Sequence, residues 1–218
     1  MENTNQPAAL TNTIQPFVFD LDGDRRYRFL MIRAPKMHRL DVMYMDSGSR
    51  NVHSLVNGKV VSKSFSDHVS SASGCKAYSE VSSYSFTNPH SNSFVDFNGD
   101  CGADLFITSQ DSSGNTYFEI WLRTSDSKFC LVDVTKITNP ISMVSIGDMN
   151  NDGRLDLVYA VLPTDTTQAM SLNIVYNTFA SDPANPCTLQ NTKMVSPFTS
   201  GAYNSAESTS VNVILGLN

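Results

Sequence analysis

Three short loops rich in aspartate, each between two apolar segments, constrain this chain more than any other feature. The first is Asp20-x-Asp22-x-Asp24, preceded by Phe17-Val-Phe and followed by an apolar run from Tyr27 to Ile32. The second is Asp96-x-Asn98-x-Asp100-Cys101-x-x-Asp104, between Phe94-Val95 and a run from Leu105 to Thr108. The third is Asp148-x-Asn150-x-Asp152-Gly153-x-x-Asp156, between Ile146 and a run from Leu157 to Leu162. The first aspartates are 76 and 52 positions apart. A recurring strand–loop–strand unit of roughly 50 residues fits one four-stranded blade of a propeller or a related array.

The acidity is local. Of 21 acidic residues, 17 are Asp and 4 are Glu, and nine of the Asp lie in the three loops. Aspartate is poor in helix interiors, because its short side chain competes for nearby backbone groups, and it belongs in turns and metal loops. Charged residues are only 17% of the chain, which disfavours long solvated helices and charge-driven disorder. The net charge of −6 argues against nonspecific binding to a nucleic-acid backbone.

Strand patterning fills the space between the loops. From Tyr117 to Arg123 the residues alternate, with Phe118, Ile120 and Leu122 on one face and Tyr117, Glu119, Trp121 and Arg123 on the other, outer face. A polar turn, Thr124 to Lys128, leads into a second strand, Phe129 to Val134. Leu40 to Met45 and Leu172 to Tyr176 read as the equivalent of the Tyr117 strand in neighbouring units. Nothing shows helical periodicity. The expected fold is therefore all-β, with about three to four four-stranded blades over residues 15–218, an incomplete or open propeller after a polar segment, 1–14. The stretch 62–93, with 12 Ser among 32 residues, reads as a flexible surface insertion. The four cysteines, Cys75, Cys101, Cys130 and Cys187, are widely spaced without a C-x-x-C and read as buried or idle thiols, with no pairing legible.

Oxygen-bearing side chains at loop positions one, three, five and nine suit one hard cation. Calcium takes six to eight oxygens at flexible geometry, whereas magnesium demands a strict octahedron. The expected calcium ligands are Asp96, Asn98, Asp100 and Asp104 in one loop and Asp148, Asn150, Asp152 and Asp156 in the other. An EF-hand is excluded, because position twelve holds Ile107 or Tyr159 instead of a bidentate Glu, and the flanks are strands. No catalytic residue is expected. His38, His53, His68 and His90 are scattered, and no nucleophile elbow or phosphate loop occurs.

Two such loops between strands, about one blade apart, resemble the FG-GAP repeats of integrin alpha-chain propellers. The segment from Pro89-His-Ser91 through Ala103-Asp-Leu-Phe106 to Phe118-Glu-Ile-Trp121 is similar to the T-cell immunomodulatory protein family, whose members are FG-GAP repeat-containing, single-pass membrane proteins. The similarity is close from about Phe86 to Tyr159. It implies the same calcium ligands, an extracellular or membrane location and a cell-adhesion role. The chain itself shows no basic, apolar leader, no apolar run long enough to span a bilayer and no Asn-X-Ser/Thr sequon, so it is not expected to insert in a membrane itself. The expected function is a non-enzymatic, calcium-stabilised scaffold for protein partners, with self-association through open strand edges as a further expectation. The alternative is a lectin-like module, or the non-catalytic part of a carbohydrate-active enzyme, with Trp121 or Tyr117 stacking on a sugar ring.

The first loop has Arg25 at position six and Arg28 at position nine, where a cation cannot be a ligand. A guanidinium from Arg28 or Arg25 is expected to replace the metal as the neutralising charge, the alternative being a weak or vacant site in a decayed repeat. Replacing Arg28→Asp is accordingly expected to create a calcium-dependent rise in melting temperature, and a melt unchanged by millimolar calcium would refute it.

Overall fold

The computed structural model describes residues 17–19, 40–46, 49–56, 59–164, 170–179, 194–199 and 203. These form antiparallel sheets with two short 3-10 turns, and no sheet closes into a barrel. The first sheet runs β1 (Phe17–Phe19), β2 (Leu40–Asp46), β3 (Ser49–Val56), β4 (Lys59–Ser64). The second contains β5 (Ser85–Phe86), β7 (Asp104–Gln110), β8 (Thr116–Arg123) and β9 (Phe129–Ile137) in that order, and β6 (Ser93–Val95) also pairs with β7. The third is β10 (Ser145–Gly147), β11 (Asp156–Val161), β12 (Ser171–Val175). No helix among the described residues is long and apolar enough to cross a membrane.

The expected β architecture is present, although the described sheets have four, five and three strands instead of four each, and one strand is displaced. Leu40–Asp46 pairs directly with Phe17–Phe19, so it stands where Asp104–Gln110 and Asp156–Val161 stand, not where Thr116–Arg123 does. The reason lies in pattern ambiguity: two adjacent apolar strands of one blade look alike until pairing is known. Ser171–Val175 does take the place of the Tyr117 strand, beside β11. The first Asp loop and the apolar run after it, including Arg25 and Arg28, lie outside the described residues, as do His38 and Cys187.

The middle sheet is apolar on both faces because it has a neighbour on each. Phe118, Ile120 and Leu122 join Phe106, Val132, Leu157, Tyr159 and Val175 in the core shared with the third sheet. Trp121, Leu105, Ile107, Phe129 and Leu131 pack with Val52 of the first sheet. The face expected to point outward is therefore buried: Trp121 and Glu119 are both 0% exposed. That removes Trp121 as a sugar platform.

The Ser-rich stretch supplies part of this covering. Phe65, Val81 and Phe86 from it are fully buried in the core between the first two sheets. Ser70 N–H donates to the Phe129 carbonyl at 2.8 Å and Lys76 N–H to the Leu131 carbonyl at 2.7 Å. The expectation of a flexible surface loop is corrected: a few apolar anchors among many serines suffice to dock it.

One charge pair joins the first two sheets. The Arg50 guanidinium donates to both oxygens of Glu119, 2.6 Å each, and both side chains are 0% exposed. Glu119 also accepts from the Trp121 indole at 3.0 Å and from the Ser109 hydroxyl. The guanidinium lies 5.4 Å from the Phe86 ring centre. Removing one partner leaves a buried charge without its counterion. Arg50→Met is expected to lower stability by about 3–5 kcal/mol in denaturant unfolding, and the Arg50→Met/Glu119→Leu double variant to recover a large share.

Candidate metal loops

The two described Asp loops share most of their hydrogen bonds, although Asp96 alone also accepts from the N–H at position four, that of Gly99, at 2.7 Å. At position one, Asp96 accepts from the N–H of Asp100 (3.2 Å) and Cys101 (2.8 Å), and Asp148 accepts from Asp152 (3.1 Å) and Gly153 (2.9 Å). At position three, the amide oxygens of Asn98 and Asn150 accept from the N–H of Asp100 and Asp152. Their amide nitrogens donate to Asp100 at 2.9 Å and Asp152 at 3.0 Å. At position five, Asp100 and Asp152 accept from the N–H of Gly102 and Arg154. Such side-chain caps on successive amides are what Asp and Asn do in turns.

Backbone conformation repeats as well. Positions four and six are left-handed in both loops: Gly99 and Cys101 in one (φ 73° and 65°), Asn151 and Gly153 in the other (φ 59° and 83°). Cys101 thus adopts the conformation that the missing glycine would take freely, at a cost of order 1–2 kcal/mol.

Position nine has a different task. Asp104 is fully buried, with one oxygen accepting from Phe97 N–H (2.9 Å) and the other from Arg123 N–H (2.8 Å). Asp156, also 0% exposed, takes Met149 N–H (2.9 Å) and Asn177 N–H (2.9 Å). Each carboxylate therefore clasps the second residue of its loop to the far end of the adjacent strand pair. Burial pushes the Asp104 carboxyl well above the usual range; the two amide donors oppose this, and the neighbouring Asp100 and Asp96 charges add to it. Burial likewise raises Asp100, with Gly102 and Asn98 opposing and Asp96 adding to the rise.

The donor chemistry fits a hard dication: three carboxylates and an amide oxygen within one turn, with mutual repulsion that a cation would relieve. Each carboxylate oxygen that accepts one amide hydrogen keeps lone-pair capacity. In the conformation described, the oxygens face the loops' own amides, and among the described residues no three acidic, imidazole or thiol groups converge as a metal cluster. His90 lies apart, with its Nδ1 accepting from Asn92 N–H at 3.2 Å and its ring edge-on to Phe86. Tyr117 stacks on Tyr84, ring centres 4.6 Å apart, and donates its hydroxyl to Asp111; burial, with the Tyr84 and Asp111 contacts, pushes its hydroxyl up to about 12.

The loops differ in their surroundings. Phe97, at position two of the first described loop, is 2% exposed and edge-on to Phe198, while Met149 in the same place is 49% exposed. Asn177, absent from the expected residues, links the two loops. Its amide nitrogen donates to the Phe97 carbonyl at 2.7 Å and the Leu155 carbonyl at 3.3 Å, and its oxygen accepts from Phe179 N–H at 2.9 Å. No local pattern marks an asparagine just past a strand as special. The bond that joins the two loops, to Phe97, spans 80 residues.

The comparisons agree with this architecture. Residues 77–159 match the family model of the FG-GAP-like repeat, a stretch that takes in the second sheet, β10 and the first part of β11. The chain is also 41% identical over 86 residues to the T-cell immunomodulatory protein homolog of Plasmodium falciparum (isolate 3D7), covering 37% of this chain and 12% of that protein. No solved structure matches the chain. Residues 77–159 thus carry an FG-GAP-like repeat, and the similarity to the T-cell immunomodulatory protein family read from the sequence is found independently.

The segments that carry the resemblance have structural tasks. Ser91 N–H donates to the Thr108 hydroxyl, and its own hydroxyl accepts from Val144 N–H at 2.7 Å, at the entrance to the third sheet. Ala103-Asp-Leu-Phe106 contains the Asp104 clasp, and Phe118-Glu-Ile-Trp121 contains the Glu119 joint. Replacing Asn177→Ala is expected to cost about 1–3 kcal/mol and to raise amide hydrogen exchange in both loops together; exchange rising in the 148–156 loop alone would refute the link.

Proposed function

We propose that this chain is a non-enzymatic interaction scaffold of the integrin-alpha-like type, with two structural calcium sites that stiffen its blade edges. The sites are formed by Asp96, Asn98, Asp100 and Asp104, and by Asp148, Asn150, Asp152 and Asp156. The observation that supports the reading is the recurrence in both loops of the same bonds at positions one, three and five, with left-handed backbone at positions four and six. Turn-forming residues alone would be free to drift apart in geometry. Like placement of the oxygens at positions one, three and five around the same bend, with a further carboxylate at position nine, favours a shared ligand, and oxygen donors of this kind select calcium.

Calcium here acts on stability. Clustered carboxylates repel until a dication joins them, so metal binding adds to the folding free energy. The blades then present rigid loops to a protein partner at a cell surface, which is the adhesion-type role that the repeat supports. At a dissociation constant of about 10⁻⁴–10⁻³ M, usual for extracellular modules, 10 mM calcium would stabilise by about 1.4–2.7 kcal/mol per site.

The test is a calcium titration followed by melting temperature. The wild type is expected to gain several degrees at millimolar calcium, with magnesium far less effective. Asp148→Ala and Asp96→Ala are each expected to remove one site's share, measured also as one fewer calcium bound in equilibrium dialysis. A wild-type melt unaffected by millimolar calcium would overturn the metal sites.

A further inference from the structure

The described cysteines are all in disulfides: Cys75 bonds Cys130 across a sequence separation of 55, and Cys101 is bonded as well. Cys130 is 0% exposed and lies on β9, the last strand on one side of the middle sheet. Along that outer edge runs the Ser-rich strap. Val69 bridges Phe129 in parallel, and the Ser70 and Lys76 N–H groups take the Phe129 and Leu131 carbonyls on either side of Cys130. The strap thus covers an edge that would otherwise present unpaired backbone groups.

Between its anchors at Phe65 and Val81 the strap is mostly exposed small polar residues, held by these two backbone bonds and by Val69 and Tyr78, which pack half-buried against the same core. The anchors matter for the rest of the molecule, since both fill the core between the first two sheets.

We propose that Cys75–Cys130 is a redox-sensitive clasp that fastens the strap over the edge of the middle sheet, and that the chain therefore folds in an oxidising compartment. Forming the bond removes two protons and two electrons from the Cys75 and Cys130 thiols. A protein or glutathione disulfide accepts them and becomes two thiols. In the reverse direction a reductant's thiolate attacks the sulfur of Cys75, the less buried cysteine, and releases the Cys130 thiolate for protonation. A second reductant thiolate then attacks the reductant's sulfur in the mixed disulfide and frees Cys75, leaving the reductant as a disulfide. Structural disulfides of this kind persist where oxidant is maintained and are rare where glutathione keeps thiols reduced. The clasp also limits strand addition at this edge to the reduced state, narrowing the expectation of self-association.

The experiment maps cysteine pairs by mass spectrometry of a non-reduced digest, then compares oxidised protein, dithiothreitol-treated protein and the Cys75→Ser/Cys130→Ser variant. A Cys75–Cys130 cross-linked peptide is expected. Opening the bond is expected to lower the melting temperature by about 10 °C. It is also expected to speed protease cleavage within 66–80 at least about tenfold, as local opening of the strap gains population. Free thiols at both positions in air-folded protein would overturn the proposal, as would a double variant with wild-type melting and cleavage. Should the double variant fail to fold, graded dithiothreitol on the wild type, with opened cysteines alkylated and mapped, decides the question. Cleavage rising in step with alkylation of Cys75 supports the clasp, and cleavage rising only with alkylation of Cys101 overturns it.

Discussion

A buried carboxylate that collects two backbone amides is the contact on which each described Asp loop depends. Asp104 and Asp156 sit at the start of a strand, away from water, and each joins its loop's second residue to the end of a neighbouring strand. Without that clasp the loop would be an ordinary surface turn, and its oxygens would have no fixed relation to the sheet. With it, positions one, three and five are presented in one geometry, twice. Burying a carboxylate costs free energy, and the raised protonation tendency of Asp104 shows that cost. Charge-assisted bonds from two amides offset part of it.

Polar contacts also set how the sheets meet. The apolar residues of the middle sheet would pack against many apolar surfaces, since area burial has no direction. Arg50 on Glu119 and Asn177 on Phe97 have direction, and each is buried where only one alignment satisfies it. Apolar packing accounts for attraction between the sheets, and these polar joints fix their register. The residues that carry the family resemblance are therefore concentrated in the joints.

Local pattern made the β class, the two loops and the two-faced Tyr117 strand legible in the sequence, because all three depend on neighbours within a few residues. Trp121 was misplaced on an outer face because periodicity separates two faces without saying which is wet. Glu119 in Phe118-Glu-Ile-Trp121 carried a usable signal: a lone acid in an apolar strand, in a chain with 4 Glu, invites a search for a buried cation. Arg50 and Asn177 carried none, since the bonds by which they join neighbouring units, to Glu119 and Phe97, span 69 and 80 residues. The Cys75–Cys130 pair was equally hidden, because spacing alone does not bring a strap onto a strand edge.

Those long separations bear on how the molecule comes apart. A linear array in which each unit touches only its neighbours is expected to fray from its ends, unit by unit. Here the joints between sheets are buried, polar and costly to leave half-made, so loosening one sheet strips a partner from the next. Arg50 cannot leave without stranding Glu119, nor Asn177 without freeing the carbonyl of Phe97. The three described sheets are thereby expected to loosen together, in one transition instead of sheet by sheet.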